Sequence, residues 1–378
     1  MNKGYVKKFT LLISLMLLFS VALSGCGGQK EAADNNGTDA KNDGYKIAYL
    51  NWGQGVPILD SFQAQAQYVN DVYGNKMQAV SDKFTADQQK TNVQNMIAAG
   101  VDGIMFDGVP TTMIPDLAAM CESAKMPFAI YDHTPSEATH QDLTSNKYYV
   151  GSVYLEGIKT GASIAERALK EGNKTAIIIG GAVGDSTHDQ RVEGFKKAFE
   201  AGGGKVLGVT RCTDPSEAAT KGEDLISANP KADCLYSLTG DFVPGPLNAL
   251  GNPGITTMKV YSSCIDESTL AAIENGEVAA GNDGSALPAA IAAMLMQNYL
   301  DGNQIVDDAG KAPYITTNSF MVDKSNAADY RAVFIDDNPF TEDQVKNLSS
   351  KYADKVDLKS FTDFINGLSL DSIVEAHK

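Results

Sequence analysis

The chain has 378 residues, 43% of them hydrophobic and 21% charged, which is ample for two globular domains with a core each and excludes a disordered chain. Its formal charge of −16 at pH 7 argues against nucleic acid and anionic lipid surfaces as partners.

In chain order, Lys3, Lys7 and Lys8 precede an apolar run, Phe9–Leu23, too short to span a bilayer comfortably. Residues 1–25 read as a signal peptide. The segment Leu23-Ser24-Gly25-Cys26 resembles a bacterial lipobox, which implies a lipid anchor on Cys26 and a place on the outer face of the cell membrane. Removing the signal takes away three lysines and no acid, so the charge moves from −16 to −19. Residues 26–43 carry no periodic apolar pattern and read as a flexible tether with a reach of roughly 20–25 Å.

From Tyr45 onward strands and helices alternate, as a parallel sheet covered by helices requires. Strands are expected at Lys46–Leu50, Met77–Val80, Gly103–Phe106 and Phe128–Tyr131, with helices at Ile58–Val72, Thr85–Ala99 and Thr111–Ser123. A second series has strands Thr175–Ile179, Lys205–Thr210, Cys234–Leu238, Lys259–Ser263 and Glu277–Ala280. Its helices are Glu156–Leu169, His188–Glu200, Pro215–Ala228 and Glu267–Asn275. Ala286–Leu300 is too short to span a membrane and reads as a core-facing helix. The fold class is therefore α/β, with two doubly wound lobes. They echo each other: Val80–Gln89 then Met96–Ile104 is matched in kind by Val209–Ala218 then Leu225–Leu235. Two such lobes set mouth to mouth enclose a cleft beyond the carboxyl ends of their strands.

Five segments in order, Gln94–Gly103, Met126–Asp132, Val150–Ser152 with Glu156–Gly161, Gln190–Phe195 and Tyr261–Asp266, resemble the type I periplasmic binding proteins, most of all their sugar-binding branch. The resemblance covers about Tyr45–Val322. It implies lobes joined by a three-segment hinge, with residues 44–150 and 283–318 in one lobe and 151–282 and 319–335 in the other. It also implies closure over a small neutral sugar or polyol and delivery to an ABC importer permease, by a monomer without a cofactor. A nucleoside or furanosyl ligand, or sensing through a histidine kinase, is the alternative. Residues 336–378 exceed the family core and read as a helical tail, with a capped start at Thr341.

The resemblance also places candidate ligand contacts. Asn51 and Trp52 follow the first strand, and an indole face packs on the C–H surface of a sugar. Asp132 ends the fourth strand; His133 stands next to it where Arg is usual. Arg191 offers a planar fork of donors. Asp241 and Phe242 follow Thr239-Gly240, where Asn-Asp is usual. Asp266 ends the turn after the fourth strand of the second lobe, and Asn282 and Asp283 end its last strand. No nucleophile motif and no metal-ligand spacing is present, so neither an enzyme nor a metal site is expected. Cys121, Cys212, Cys234 and Cys264 are expected as reduced, buried thiols.

Overall fold

A computed structural model describes residues 44–133, 135–251 and 258–378. The signal peptide, Cys26 and the tether lie outside the described residues. The first lobe runs β1 (Lys46–Asn51), α1 (Pro57–Tyr73), β2 (Lys76–Ser81), α2 (Ala86–Ala99), β3 (Gly103–Asp107), α3 (Ile114–Ala124), β4 (Phe128–Tyr131), α4 (Glu137–Leu143) and β5 (Tyr149–Leu155). Thr85 caps α2 by accepting from the Gln88 N–H, and Gly74 and Gly100 end α1 and α2 in the left-handed conformation. β1 and β3 are buried on both faces, as the central strands of a parallel sheet must be.

The second lobe follows with α5 (Gly157–Lys170), β6 (Thr175–Gly180), α6 (Ser186–Ala201), β7 (Lys205–Arg211), α7 (Pro215–Ala228), β8 (Cys234–Ser237), α8 (Pro244–Leu250), β9 (Lys259–Ser263), α9 (Glu267–Asn275) and β10 (Ala280–Asp283). The last strand starts three residues later than expected. The Glu277 and Val278 N–H groups both bond back to the Ala272 carbonyl and prolong the helix end instead.

The chain then returns to the first lobe with α10 (Leu287–Leu300) and β11 (Tyr314–Thr317), and to the second with β12 (Phe320–Asp323) and α11 (Ala327–Tyr330). α10 is buried from Leu287 through Asn298, which is why its sequence shows no polar face. The sheets have the orders β11-β5-β4-β3-β1-β2 and β12-β10-β9-β8-β6-β7, all parallel except β12 against β10. Each sheet has apolar clusters on both faces.

Three segments therefore cross between the lobes. The first lies after Leu155 rather than at 150/151, because Gly151–Leu155 belong to β5 and pair with β4 and β11. The second lies after Asp283, which still pairs with Phe320 in the second sheet. The third is 318–319, between β11 and β12.

The tail forms α12 (Glu342–Asn347), α13 (Leu358–Asn366) and α14 (Leu370–Ala376). Thr341 and Gln344 make the expected capping box. Phe340, Val345, Leu348, Phe361 and Ile365 join the first lobe's core, whereas Leu370 and Ile373 join the second's. The tail is thus shared by both lobes, and its segments 336–339 and 366–369 add two further crossings. His377 Nε2 lies 2.9 Å from the Asn338 carbonyl oxygen and holds the chain's end against the first of these.

Candidate functional site

The loops after the strands of both sheets face one cleft of about 710 Å³. On the first lobe's side it is lined by Trp52, Val56, Ile58, Leu59, Phe84, Val109, Pro110, Thr111 and His133. On the second lobe's side the lining comes from Gly181–Ser186, His188, Cys212–Pro215, Thr239, Asp241 and Phe242.

Two loops of the first lobe are zipped together where β1 and β2 end. The Asp82 N–H donates to the Asn51 carbonyl at 2.8 Å and the Phe84 N–H to the Trp52 carbonyl at 2.9 Å. Asn51 is buried and holds the loop from within: its Oδ1 accepts from the Gly53 N–H at 2.9 Å, and its Nδ2 donates to Gln63 Oε1 at 3.1 Å. The Phe84 ring packs with its tip against Gly53, where a Cβ would meet its Cζ at 1.9 Å, and stands edge-on to Trp52 at a centroid distance of 6.3 Å.

The floor of the cleft is a charge cluster centred on His133. Asp132 adopts φ 59°, a left-handed turn that Asp tolerates better than most residues. Its Oδ2 lies 2.8 Å from His133 Nδ1, and Asp107 Oδ1 lies 2.9 Å from the same nitrogen. From the other lobe, Asp185 Oδ1 comes within 3.1 Å of His133 Nε2. Burial works against a charge on this imidazole, but Asp185, Asp107 and Asp132 outweigh it and hold its pKa well above the usual histidine value. Burial likewise opposes the Asp185 charge, and His133 nevertheless keeps that carboxyl well below its usual range. Asp107, Asp132 and His133 are near enough to share a cation. The imidazolium between the two carboxylates already supplies the positive charge, and its nitrogens are used as donors.

Arg191 is buried beneath this cluster. α5 and α6 pack so closely that a Cβ on Gly161 would come within 2.1 Å of the Arg191 carbonyl oxygen. Its Nη1 donates to the Leu238 carbonyl at 3.0 Å, and its Nε has no partner among the described residues. Phe242 stacks on His188, ring centroids 6.4 Å apart. Burial, aided by Arg191 against the pull of Asp185, lowers the His188 pKa to about 4, so this ring is neutral. Its Nδ1 accepts the Gly181 N–H at 3.1 Å. Asp241 Oδ1 accepts from Thr239 Oγ1 at 2.5 Å.

Of the sequence candidates, Trp52, His133, Asp241 and Phe242 line the cleft, and Asp132 and Arg191 lie behind it. Asn51 scaffolds its loop. Asp266 caps α9 by accepting from the Thr269 N–H at 2.7 Å. Asn282 ties β10 to β9 and α5, accepting from Ser263 Oγ at 2.6 Å and donating to the Thr160 carbonyl at 2.7 Å. Asp283 accepts from Ser285 and, at 2.5 Å, from the Tyr330 hydroxyl at the second crossing. These last three side chains are thus engaged within the fold and are not among the residues that line the cleft. Sequence reasoning missed Asp107, Phe84, Asp185, His188 and Asp214. The rule that ligands meet the loops after parallel strands would have named the turns that carry them. The four cysteines are free and buried.

Residues 47–304, more than half of the chain, match the family model described as a periplasmic binding protein domain. The chain belongs to this family. Its members bind solutes outside the cytoplasm and are not enzymes. Among solved structures, a galactofuranose binding protein superposes with a TM-score of 0.66 at 19% identity, covering 75% of this chain and 96% of its own. A solute binding protein from Actinobacillus succinogenes with bound D-allose gives 0.67 at 19%, covering 76% and 100%. One from Bacillus halodurans with bound myo-inositol gives 0.66 at 19%, covering 78% and 99%. At these identities the likeness fixes the type I periplasmic binding protein fold. No curated protein matches the chain. Among the described residues no helix is long and apolar enough to cross a membrane.

Proposed function

We propose that this binding protein is anchored through a lipid on Cys26 at the outer face of the membrane, where it captures a small neutral sugar or polyol by lobe closure and delivers it to an ABC importer. The observation that carries the reading is the composition of the cleft. Asp185, Asp214 and Asp241 of the second lobe line it, while the imidazole in its lining, His133, is held by three carboxylates and Arg191 lies behind the lining with its Nη1 on a carbonyl. Such a site accepts hydroxyl donors and repels anions such as phosphates. Structural relatives with bound D-allose and myo-inositol support the same ligand class, and the family supports the outward location.

A thermal-shift screen of the full chain, in a detergent without a sugar headgroup, tests it against monosaccharides, polyols, nucleosides and sugar phosphates. A true ligand at about 100 times its dissociation constant adds about 2.7 kcal/mol of apparent stability. Stabilisation by sugar phosphates and by no neutral sugar or polyol would remove the reading. Cys26→Ser is expected to leave the ligand response unchanged and to release the protein from the membrane fraction; a variant that stays membrane-bound would refute the anchor.

A further inference from the structure

The two walls of the cleft differ in chemistry. The first lobe's side is apolar apart from Thr111 and His133, whereas the second lobe's side presents Asp185, His188, Thr213, Asp214, Thr239 and Asp241. A ligand polar on every face would leave one of these walls unused. Among the described residues only five large hydrophobic side chains are exposed, and two of them, Phe84 at 53% and Val183 at 78%, line this cleft from opposite lobes. Exposed apolar groups that converge on one opening mark a place where something apolar binds.

Phe84 is also held there against its backbone preference. Lys83 and Phe84 adopt φ of 51° and 58° in succession, a conformation that costs free energy in residues other than glycine and clusters at ligand clamps. The turn is fixed by the Thr85 N–H on the Asp82 carbonyl and by the Phe84 N–H on the Trp52 carbonyl. Gly53 leaves room for the ring, because any side chain at that position would displace it. The result is an aromatic shelf of Trp52 and Phe84 facing Val183 across the cleft.

We propose that the ligand is a sugar carrying an apolar or aromatic substituent, a glycoside or nucleoside, with its hydroxyls on the second lobe's carboxylates and its substituent between the Trp52–Phe84 shelf and Val183. Phe84 is then a specificity-determining residue. The inference rests on the sugar reading above and narrows it.

Calorimetry on the full chain, in the same kind of detergent, tests it with methyl and phenyl glycosides of glucose, galactose and ribose, and with adenosine. For the sugar recognised, the phenyl glycoside or the nucleoside is expected to bind at least tenfold more tightly than the methyl glycoside. Phe84→Ala should abolish most of that advantage and leave the methyl glycoside within twofold. Val183→Ser, at an exposed loop position, should reduce it in the same direction. Equal affinity for methyl and phenyl partners overturns this inference and leaves the sugar reading standing, as does a Phe84→Ala variant that weakens both alike. Binding of none of these compounds, by a protein that another class of solute stabilises in the thermal screen, overturns the sugar reading and this inference with it.

Discussion

Asp82 shows how one buried carboxyl writes itself into the pH dependence of the whole fold. It is fully buried; Oδ1 accepts from Asn92 Nδ2 at 2.7 Å and Oδ2 has no partner among the described residues. Burial pushes its pKa from 3.8 to about 7, with Asn92 and Gln89 opposing and Asp107 adding to the rise. Between these two values the folded chain holds a proton that the unfolded chain has shed, so stability falls as pH rises through that window and levels off above it. A tenfold difference in proton affinity between the folded and unfolded chain corresponds to about 1.4 kcal/mol. Asp82→Asn, which cannot ionise, is expected to lose about 2–4 kcal/mol less than the wild type between pH 4 and pH 8 in urea unfolding. Parallel pH profiles for the two proteins would show that the carboxyl ionises freely in the fold. The His133–Asp185 pair has a different window. The raised histidine keeps its contribution below pH 6.5 and loses it as pH rises through its higher folded value; the depressed aspartate keeps its own above 3.8 and loses it on acidification. Both charges are therefore present across neutral pH, which places an ion pair between the lobes where the receptor works.

At the level of elements, the contact between α5 and α6 positions Arg191. Gly157, Gly161 and Gly194 let the two backbones approach, and a Cβ on Gly194 would meet the Ile158 carbonyl oxygen at 2.0 Å. Gly161→Ala should therefore force the helices apart and cost about 1–3 kcal/mol in chemical unfolding, with a fall in ligand affinity through the displaced guanidinium. An unchanged midpoint would mean that the helices yield without strain. The glycines were legible as a motif, Glu156–Gly161 with Gln190–Phe195, but their reason is spatial and needs both helices in view. The same holds elsewhere. The central strands and their helices declared themselves through apolar runs and caps, and Asp132, His133, Asp241 and Phe242 through their place after a strand in the family that the sequence resembles. β5 did not, because Gly151 within it reads as a break; it is a strand residue packed against Pro313. Phe84 escaped because an aromatic residue between Lys83 and Thr85 reads as ordinary loop, and only the left-handed turn and the Gly53 face bring it into the cleft. Asp266, Asn282 and Asp283 sit at the family's positions in sequence, yet the hydrogen bonds that tie their turns into the fold reach neighbours far along the chain.

The whole molecule is governed by how often its chain passes from lobe to lobe. Beyond the three crossings between the sheets, the tail contributes 336–339 and 366–369, and its helices are fixed on both sides. Tyr73 donates to the Val345 carbonyl at 2.8 Å and Asn298 to the Leu348 carbonyl at 2.7 Å in the first lobe, while α14 packs on α11 in the second. Inserting Gly-Gly-Ser-Gly between Gly367 and Leu368 adds slack to a crossing whose Leu368 packs against both cores. The expected outcome is a larger ligand-free radius of gyration by X-ray scattering. Apparent affinity should fall about twofold if an open form rises to half of the population. Unchanged scattering and affinity would mean that the tail rides on the lobes without restraining them. If the restraint holds, its consequence is kinetic. A jaw allowed only a narrow gape admits solute slowly and also lets it go slowly, since both passages use the same aperture. Such a receptor gives up dynamic range in exchange for retention. It would hold its cargo long enough to meet a scarce transporter.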